Sequence, residues 1–325
     1  MRALVTGGYG FIGSNLVRRL HTQGDHVDVV DNMINGNEDQ LKDLPVREVL
    51  PTLILQDTSK DTGKINFYKA DFSSDDILNK IATGCYDVIY HTAALPRVSF
   101  SVEHPAETTE VNLMGTVKLF DAARYGQARV VFSSSSSVYG GAEVLPTPAS
   151  TKKDPKSPYA WQKSAAEDIA KMYTDLYQDS DIVSLRYFNV FGPGQYGDSP
   201  YSTAIAAWCH AIKSGTPCRS DGDGNQSRDL CYVDNVVDAN ILAANHDARF
   251  TGQCYNVACG DRISNNEVLE YFKENFNAEV IHAPWRAGDV MHTHADISKV
   301  EKEIGYTPRV SFWEGLDRTI DWWGL

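Results

Sequence analysis

The chain has 325 residues, of which 42% are hydrophobic, and a formal net charge of −13. A chain of this length can bury a large core in one large domain or two closely associated ones, and its acidity argues against a nucleic-acid-binding surface. It shows no apolar N-terminal segment and no run of 18 apolar residues, which predicts a cytoplasmic protein without a membrane span. Its six cysteines include no C-x-x-C pair and no metal-ligand spacing, so we expect reduced thiols and no bound metal.

Strand-like and helix-like segments alternate along the chain. Strands are predicted at 2–6, 26–31, 65–70, 87–92, 129–134, 182–188 and 254–259, and helices at 11–23, 105–125 and 159–178. The polar stretch 35–64 is interpreted as a helix plus a variable loop. This alternation predicts an α/β fold with a parallel sheet that helices cover on both faces.

A glycine-rich turn joins the first strand to the first helix. Gly8, Gly10 and Gly13 fit G-x-G-x-x-G, and Gly7, Gly10 and Gly13 fit a variant with one more spacer residue. Such a turn lets the backbone approach a pyrophosphate and directs a helix N-terminus toward it. The second strand ends in Asp31, where an acid binds adenosine ribose hydroxyls and disfavours a 2′-phosphate. The sequence therefore predicts a doubly wound Rossmann sheet that binds NAD.

A second motif pairs Tyr159 with Lys163. Tyr159 follows Ser157 and Pro158, a favourable start for a helix, and residues four apart share one helix face. A free tyrosine has a pKa near 10, and a neighbouring cation favours its phenolate. This spacing is common on exposed helix faces, but together with the glycine turn it predicts that Tyr159 acts as a general base.

Eight segments occur in a characteristic order: TGGYGFIGSN, HTAAL, SSSSSVYG, SPYAWQK, RYFNVFGPGQ, DGDGNQSRDLCYVDNV, YNVACGDR and WRAGDVMHTHAD. Through them the whole chain resembles the extended short-chain dehydrogenase/reductase superfamily, and within it the nucleotide-sugar 4-epimerases. The most similar branch is the UDP-N-acetylglucosamine 4-epimerases, relatives of the UDP-glucose 4-epimerases. The resemblance implies NAD-dependent 4-epimerisation of a UDP-hexose through a transient 4-keto sugar.

The resemblance implies catalytic roles for Ser135, Tyr159 and Lys163. Alignment on Val138-Tyr139-Gly140 selects Ser135, although the five-serine run leaves Ser134 as an alternative one residue away. Ser136 and Ser137 stand where related 4,6-dehydratases carry Asp-Glu, so elimination of water is not expected. The implied cofactor contacts are Gly7, Gly10, Phe11, Ile12, Gly13, Asp31, Asn32, Asp71, Phe72, Ala93, Ala94, Asn112, Ser133, Tyr159, Lys163 and Tyr187.

The resemblance also implies a smaller, discontinuous α/β domain that binds the nucleotide sugar. We expect 1–187 and 230–259 to form the NAD-binding domain, and 188–229 and 260–325 to form the nucleotide-sugar-binding domain. The implied substrate contacts are Ser134, Ser135, Asn189, Thr203, Ala204, Trp208, Arg219, Asp221, Arg228, Arg286, Asp289 and Thr293. Among them, Arg228 and Arg286 would clamp the pyrophosphate, for which bidentate guanidinium groups are well suited. A homodimer through a four-helix bundle is also implied.

The identity of the sugar depends on a few positions. Thr293 falls where a tyrosine would exclude an N-acetyl group, so a small residue favours UDP-GlcNAc and UDP-GalNAc, with UDP-glucose and UDP-galactose as further substrates. Pro96 and Arg97 depart from the small residues of that branch, and Arg219 replaces an aromatic residue. Arg97 suits a carboxylate, which leaves a UDP-glucuronate 4-epimerase or another nucleotide-sugar reductase as an alternative. The Ser-Tyr-Lys set disfavours a non-catalytic NAD-binding module.

Overall fold

A computed structural model describes residues 1–50, 53–55, 63–141, 143–197, 203–285 and 290–325. The strands are β1 Arg2–Thr6, β2 His26–Asp31, β3 Val46–Glu48, β4 Ile65–Lys69, β5 Val88–His91, β6 Arg129–Ser135, β7 Asp181–Tyr187, β8 Val190–Phe191, β9 Cys218–Asp221, β10 Ser227–Arg228, β11 Cys231–Tyr232, β12 Thr251–Val257, β13 Ile263–Ser264 and β14 Val280–Ala283. The α-helices are α1 Phe11–Thr22, α2 Asp75–Ala82, α3 Val98–Glu103, α4 Pro105–Thr109, α5 Thr116–Gly126, α6 Pro158–Leu176, α7 Ala204–Ser214, α8 Val233–Ala244, α9 Asn265–Phe276, α10 Ser298–Ile304 and α11 Phe312–Trp323.

Eight strands form one large sheet in the order β12-β7-β6-β5-β1-β2-β4-β3. The pairings from β3 through β6 are all parallel, with Thr6 of β1 opposite Val30 of β2 and His91 of β5. The strand order reverses beside β1, and parallel strands bring their carboxyl ends to one edge at this point, where open α/β sheets bind ligands. The predicted α/β class with a doubly wound parallel sheet is confirmed.

Burial on both faces of the sheet explains why the sequences of these strands are continuous runs of apolar residues. Ala3, Leu4 and Val5 of β1 have no exposed surface, and every residue of β2 is buried. A central parallel strand has helices above and below it, so no polar face is needed. The core continues through Phe120 of α5 and Phe132 of β6, whose rings meet edge to face at 5.7 Å.

The predicted strand 254–259 is shifted relative to β12 Thr251–Val257, and two further predicted elements differ from the structure in kind. The stretch 35–64 was expected to hold a helix, but its described part has a short 3₁₀ turn at Glu38–Gln40 and the edge strand β3. The predicted helix 105–125 is interrupted, because Glu110–Gly115 forms a π-helical segment between α4 and α5. Both departures depend on contacts with distant residues, which local periodicity does not contain. No helix in the described ranges is long and apolar enough to span a membrane.

The chain divides into two compact units. Unit 1 comprises Met1–Ser135, Ser157–Arg186 and Val237–Cys254, and unit 2 comprises Ser136–Lys156, Tyr187–Val236 and Tyr255–Leu325. These bounds differ from the predicted domains mainly at 136–156, 230–236 and 255–259, which belong to unit 2. The assignment of NAD and nucleotide sugar to the two units stays a prediction.

In the described part of unit 2, three two-stranded pairings take the place of a large sheet. β8 pairs with β11 and β9 with β14 in parallel, while β10 pairs with β13 in antiparallel fashion. A small buried cluster forms around Val138, Tyr139, Phe188, Ala258 and Ala295.

Candidate functional site

The glycine turn of unit 1 is closely packed. Gly7 has φ +71°, and a Cβ there would lie 2.8 Å from the Cα of Ala93, while a Cβ on Gly13 would lie 2.1 Å from the oxygen of Gly7. The contacts at Gly7 and Gly13 require glycine because they are made with backbone atoms, whereas a Cβ on Gly8 would lie 2.6 Å from a side-chain atom of Val29 in β2, and one on Gly10 would lie 3.2 Å from the oxygen of Gly7. Gly10 precedes α1 without a side-chain cap, so the first backbone N–H groups of Phe11 and the next residues stay available to an anion.

Asp31 ends β2 beside this turn. Its carboxylate accepts hydrogen bonds from the backbone N–H of Tyr9 at 3.0 Å and of Met33 at 2.8 Å. Burial raises the pKa of Asp31, and the two backbone donors oppose that rise. The next residue, Asn32, donates its amide to Asp71 at 3.4 Å. The turn and the acid are therefore held together, as a bound dinucleotide would require.

His91 is a buried residue at the carboxyl end of β5, the sheet edge at which a ligand is expected. It was not among the site residues predicted from the sequence. Its ring nitrogens hydrogen-bond to the hydroxyls of Thr6 at 2.8 Å and Thr116 at 2.9 Å, and the ring of Phe72 lies 4.8 Å away. Burial, followed by the charge of Lys163, lowers the pKa of His91 to about 3. The imidazole is therefore neutral, and it serves to hold the strand ends in place. Its position within HTAAL was the available signal.

Asn112 lies on the π-helical segment and fixes the loop after β5. Its amide accepts from the N–H of Leu95 at 2.8 Å and donates to the carbonyl of Leu95 at 3.1 Å. It also donates to Gln162 of α6 at 2.8 Å. A π-helical turn often marks a functional position, and here it lets one amide satisfy three partners. The half-buried Ala93 and Ala94 precede Leu95 in this loop.

Tyr159 and Lys163 lie on the first turns of α6, as predicted from their spacing. The backbone N–H of Tyr159 donates to Ser101 of α3 at 3.1 Å. Lys163 donates to the carbonyl of Ser133 at 2.8 Å, and its Nζ lies 5.8 Å from the centroid of the Tyr159 ring. Complete burial lowers the pKa of Lys163 to about 7, a shift that the nearby Glu167 opposes. The titration midpoint of Lys163 therefore lies close to neutral pH.

The three serines at the end of β6 point to its two opposite faces. Ser134 donates its hydroxyl to Glu167 at 2.6 Å, and Glu167 accepts two bonds from Arg186 at 2.8 and 2.7 Å. All three side chains are buried. Because successive side chains on a strand point to opposite faces, Ser133 and the half-buried Ser135 lie on the other face of β6. This engagement of Ser134 favours Ser135 as the serine that faces a ligand.

In unit 2, Asn189 and Thr293 are brought into direct contact. The Asn189 amide donates to the Thr293 hydroxyl at 3.0 Å, and Asn189 has φ +27°. The same hydroxyl accepts from the N–H of Asp229 at 3.2 Å. The neighbouring Arg228 donates to the carbonyls of Ser227 and Met291, both at 3.1 Å. Three segments, around Asn189, at 227–229 and at 291–293, thus form one polar cluster.

Asp229, which sequence reasoning did not select, organises this cluster. Its carboxylate accepts from three backbone N–H groups, those of Cys259 at 2.9 Å, Gly260 at 3.2 Å and Ala295 at 3.0 Å. Burial nevertheless raises its pKa to about 6. Its place in the motif that contains Arg228 was the only signal in the sequence.

The other predicted substrate residues lie along α7 and β9 of unit 2. Thr203 precedes Ala204, the first residue of α7, and Trp208 is only 2% exposed, with its indole N–H donated to the carbonyl of Arg219 at 2.8 Å. The Arg219 guanidinium pairs with Asp221 at 2.8 Å. The structure therefore presents Trp208 as a packing residue of unit 2.

Of the last three predicted site residues, the structure describes one. Tyr187 is the buried last residue of β7. Arg286 and Asp289 lie outside the described residues, so their predicted contacts stay predictions. Within the described ranges, no group of three or more His, Cys, Asp or Glu side chains is placed to hold a metal ion.

Comparisons with known proteins agree on one family. A family model described as the NAD dependent epimerase/dehydratase family matches residues 3–258. A UDP-glucose 4-epimerase of Mycolicibacterium smegmatis is 34% identical over 99% of this chain and 98% of its own. A solved UDP-N-acetylglucosamine 4-epimerase of Methanobrevibacter ruminantium M1, in complex with UDP-N-acetylmuramic acid, is 34% identical with a TM-score of 0.87, covering 99% of this chain and 97% of that one. MoeE5 in complex with UDP-glucuronic acid and NAD is 32% identical with a TM-score of 0.82, covering 99% and 98%.

Proposed function

The chain belongs to the NAD dependent epimerase/dehydratase family, and from that premise we propose that it inverts C4 of a UDP-hexose through a transient 4-keto sugar. We propose UDP-GlcNAc and UDP-GalNAc as the preferred pair, with UDP-glucose and UDP-galactose as further substrates. The observation that carries the mechanism is the placement of Tyr159 and Lys163 on one face of α6, beside the serine-ended strand β6.

Membership in the family confirms two predictions from the sequence. The chain is an enzyme of the nucleotide-sugar epimerase type, and its cofactor is NAD. The glycine turn fits that cofactor, since side chains are excluded where Gly13 approaches Gly7 and the first turn of α1 is uncapped. Asp31, already held by Tyr9 at the end of β2, suits an unphosphorylated ribose.

We propose that Tyr159 moves the proton of the 4-hydroxyl group. NAD, when bound, supplies the hydride acceptor and donor that the protein orients. Tyr159 as phenolate takes the proton from the 4-hydroxyl and returns it to the same oxygen after the sugar has turned over. The cationic form of Lys163 favours the phenolate, and its bond to the Ser133 carbonyl fixes its position. Ser135 donates to the sugar oxygen, a role that Ser134 is less suited to because it is bound to Glu167.

The preference for an N-acetylhexosamine is supported by Thr293. Its side chain is small, and its hydroxyl is held by Asn189 and by the backbone of Asp229, so its position is defined. A small residue leaves room for an acetamido group, which a tyrosine would exclude. The similar enzyme from M. ruminantium bears the name of a UDP-N-acetylglucosamine 4-epimerase, which is consistent with this choice.

A second candidate function is 4-epimerisation of UDP-glucuronate. The observation that favours it is Arg97, a half-buried residue immediately before α3, whose Ser101 contacts the backbone of Tyr159. A guanidinium near the sugar would recognise a carboxylate. The similarity to MoeE5, solved with UDP-glucuronic acid, keeps this alternative open.

We also propose that the enzyme is a homodimer through a four-helix bundle of α5 and α6. Large apolar side chains are exposed along these helices and the π-helical segment before them: Met114, Tyr125, Trp161, Met172 and Leu176. Exposed apolar side chains of this density are typical of protein–protein interfaces. Light scattering of the purified protein measures the dimer directly, and a monomer at micromolar concentration would contradict this proposal.

The experiment that tests the substrate is a comparison of kcat/KM for UDP-GlcNAc, UDP-glucose and UDP-glucuronate. We expect UDP-GlcNAc to be preferred, with formation of UDP-GalNAc. A variant, Arg97→Met, keeps a flexible unbranched side chain and removes the guanidinium with its charge. If the wild type prefers UDP-glucuronate and Arg97→Met loses that preference, then the second candidate is correct and the 4-epimerase mechanism is unchanged.

A further inference from the structure

Gln162 of α6 directly precedes Lys163, and no role is predicted for it from the sequence. Gln162 has no exposed surface, whereas its neighbour Trp161 is 52% exposed. A buried amide has to find its hydrogen-bond partners within the protein, because an unpaired one is costly. The partners of Gln162 therefore indicate what this side chain does.

The amide of Gln162 binds polar side chains of two other helical segments. Its Nε2 donates to the hydroxyls of Thr108 and Thr109, both at 3.0 Å, and its Oε1 accepts from the amide of Asn112 at 2.8 Å. Thr108 and Asn112 are themselves buried. The two threonines belong to α4 and Asn112 to the π-helical segment Glu110–Gly115, so one side chain fixes the first turns of α6 to both.

Asn112 uses both N–H groups of its own amide on partners within unit 1. Its Oδ1 accepts from the backbone N–H of Leu95 at 2.8 Å, while its Nδ2 donates to the carbonyl of Leu95 at 3.1 Å and to Gln162. Leu95 offers one donor and one acceptor, so only one orientation of the Asn112 amide pairs with both. The second N–H then needs an oxygen, and Gln162 supplies it. Asn112 can therefore donate no hydrogen bond to a ligand without releasing Leu95 or Gln162.

The loop 93–95 lies against the glycine turn. The backbone N–H of Ala93 donates to the Thr6 hydroxyl at 3.3 Å, and a Cβ on Gly7 would lie 2.8 Å from the Cα of Ala93. Because the two backbones are in contact, a shift of the loop would alter the surface of the turn. The loop is anchored to β1 at Ala93 and to the π-helical segment at Leu95, beside the turn at which a pyrophosphate is expected.

We propose that Gln162 is a positioning residue for NAD, which acts through Asn112 to hold the loop 93–95 in the conformation that retains the cofactor. Gln162 is completely enclosed and bonded to protein groups, so it exerts this effect without being a ligand of NAD. Without its Oε1 one buried N–H of Asn112 is left unpaired, which destabilises the closed loop relative to open conformations. NAD then dissociates faster, because the loop opens more often. The proposal concerns unit 1 and its cofactor, and it does not depend on which sugar is bound or on the assignment of the general base.

A second buried glutamine, Gln226 of unit 2, provides a matched control. It is 5% exposed, and its Nε2 donates to the carbonyl of Asp221 at 2.6 Å. Gln226→Met and Gln162→Met make the same chemical change in a buried position, since methionine is close to glutamine in length and lacks its amide group. A general loss of stability affects both variants, whereas loss of the anchor of the loop affects only Gln162→Met.

The test is a double-mutant cycle on the release of NAD from the intact holoenzyme, measured as the rate at which isotope-labelled NAD replaces bound NAD. We expect Gln162→Met to accelerate the replacement by about tenfold, the effect of leaving one buried donor unpaired, and Gln226→Met to keep the wild-type rate. Asn112→Ala should accelerate it at least as much as Gln162→Met. Because Gln162 acts through Asn112, the double variant should be no faster than Asn112→Ala alone. Amide hydrogen exchange at Leu95 should be faster in Gln162→Met and in Asn112→Ala than in the wild type.

Two outcomes of this cycle would overturn the proposal. If Gln162→Met releases NAD at the wild-type rate, then Gln162 does not position the loop. If the double variant exceeds Asn112→Ala by the full factor of Gln162→Met, then Gln162 acts independently of Asn112.

A second variant keeps the proposal testable if Gln162→Met does not fold. Thr108→Val/Thr109→Val removes both hydroxyls that accept from the Gln162 amide and keeps the side-chain volumes. We expect this variant to show the same acceleration of NAD release and of hydrogen exchange at Leu95. Wild-type rates for both would overturn the proposal, and neither measurement depends on an assay of epimerisation.

Discussion

Each unit contains a buried carboxylate, and the two carboxylates have different hydrogen-bond partners. In unit 1, Glu167 is paired with the Arg186 guanidinium through two short bonds, and their side chains are 1% and 5% exposed. In unit 2, Asp229 is equally enclosed, but within the described part of the chain its hydrogen-bond donors are backbone N–H groups, and burial raises its pKa to about 6. A full positive charge compensates burial better than backbone dipoles do, because the interior screens charges weakly.

The two carboxylates also connect different kinds of structural element. Glu167 anchors α6 to β6 and β7, the elements that carry Lys163 and the serine run, so its network fixes a rigid part of unit 1. Asp229 gathers loops of unit 2, where the Asn189 and Thr293 side chains meet. We therefore expect changes in unit 1 to act on the chemical step and on stability, and changes in unit 2 to act on selectivity and on pH dependence.

The largest expected effect is that of Tyr159→Phe in unit 1. The substitution removes only the hydroxyl that moves the proton, and loss of general acid–base catalysis lowers kcat by about 10²–10⁴-fold. Retained binding of NAD and UDP-sugar, measured by calorimetry, is the control. A variant with more than half of the wild-type kcat would show that another group is the base.

Glu167→Gln should give the largest loss of stability. It leaves the buried Arg186 guanidinium without its carboxylate, and breaking such a pair costs about 3–5 kcal/mol of unfolding free energy. The control is Ser134→Ala, which removes one hydrogen bond to a charged group and should cost about 1.5–3 kcal/mol. Urea unfolding measures both, and equal losses in the two variants would mean that the ion pair adds nothing.

Thr293→Tyr in unit 2 should change selectivity with little effect on the chemical step. A tyrosine excludes the acetamido group, and steric misfit of this order lowers kcat/KM for UDP-GlcNAc relative to UDP-glucose by about 10–200-fold. Thr293→Val is the matched control, since it removes the hydroxyl bonded to Asn189 and keeps the volume. If both variants shift selectivity equally, the hydroxyl and not the volume determines the choice of sugar.

The last prediction concerns pH and separates the two carboxylates. Because the pKa of folded Asp229 is about 6 and its ordinary value is 3.8, the folded state binds more protons between these values. The stability from this group is complete below pH 3.8 and is lost as the pH rises through about 6. Each pKa unit of difference between the folded and unfolded states is worth about 1.4 kcal/mol.

Asp229→Asn should remove that dependence. We expect the difference in unfolding free energy between the wild type and Asp229→Asn to change between pH 4 and pH 7, with the wild type favoured more at the lower pH. Glu167→Gln, measured over the same range by urea unfolding, is the comparison from unit 1. If the difference in unfolding free energy between the wild type and Asp229→Asn stays constant from pH 4 to pH 7, then burial does not raise the pKa of Asp229.

Much of unit 1 could be predicted from the sequence because its signals are local. The predicted strands 2–6 and 26–31 match β1 and β2 to the residue, since strands buried on both faces are continuous apolar runs. The glycine turn and the spacing of Tyr159 and Lys163 are likewise read from neighbouring residues. Together with the ordered segments they were sufficient to identify the family and NAD.

The tertiary structure decided what depends on residues far apart in the chain. The engagement of Ser134 requires Glu167 and Arg186 from other elements, and the burial of Trp208 depends on how α7 packs on β9. The central place of Asp229 arises because two distant segments, 259–260 and the one that contains Ala295, converge on its carboxylate, a convergence with no periodic signature in the sequence. Local periodicity determines strands and helices, but only folding brings distant polar groups within hydrogen-bonding distance.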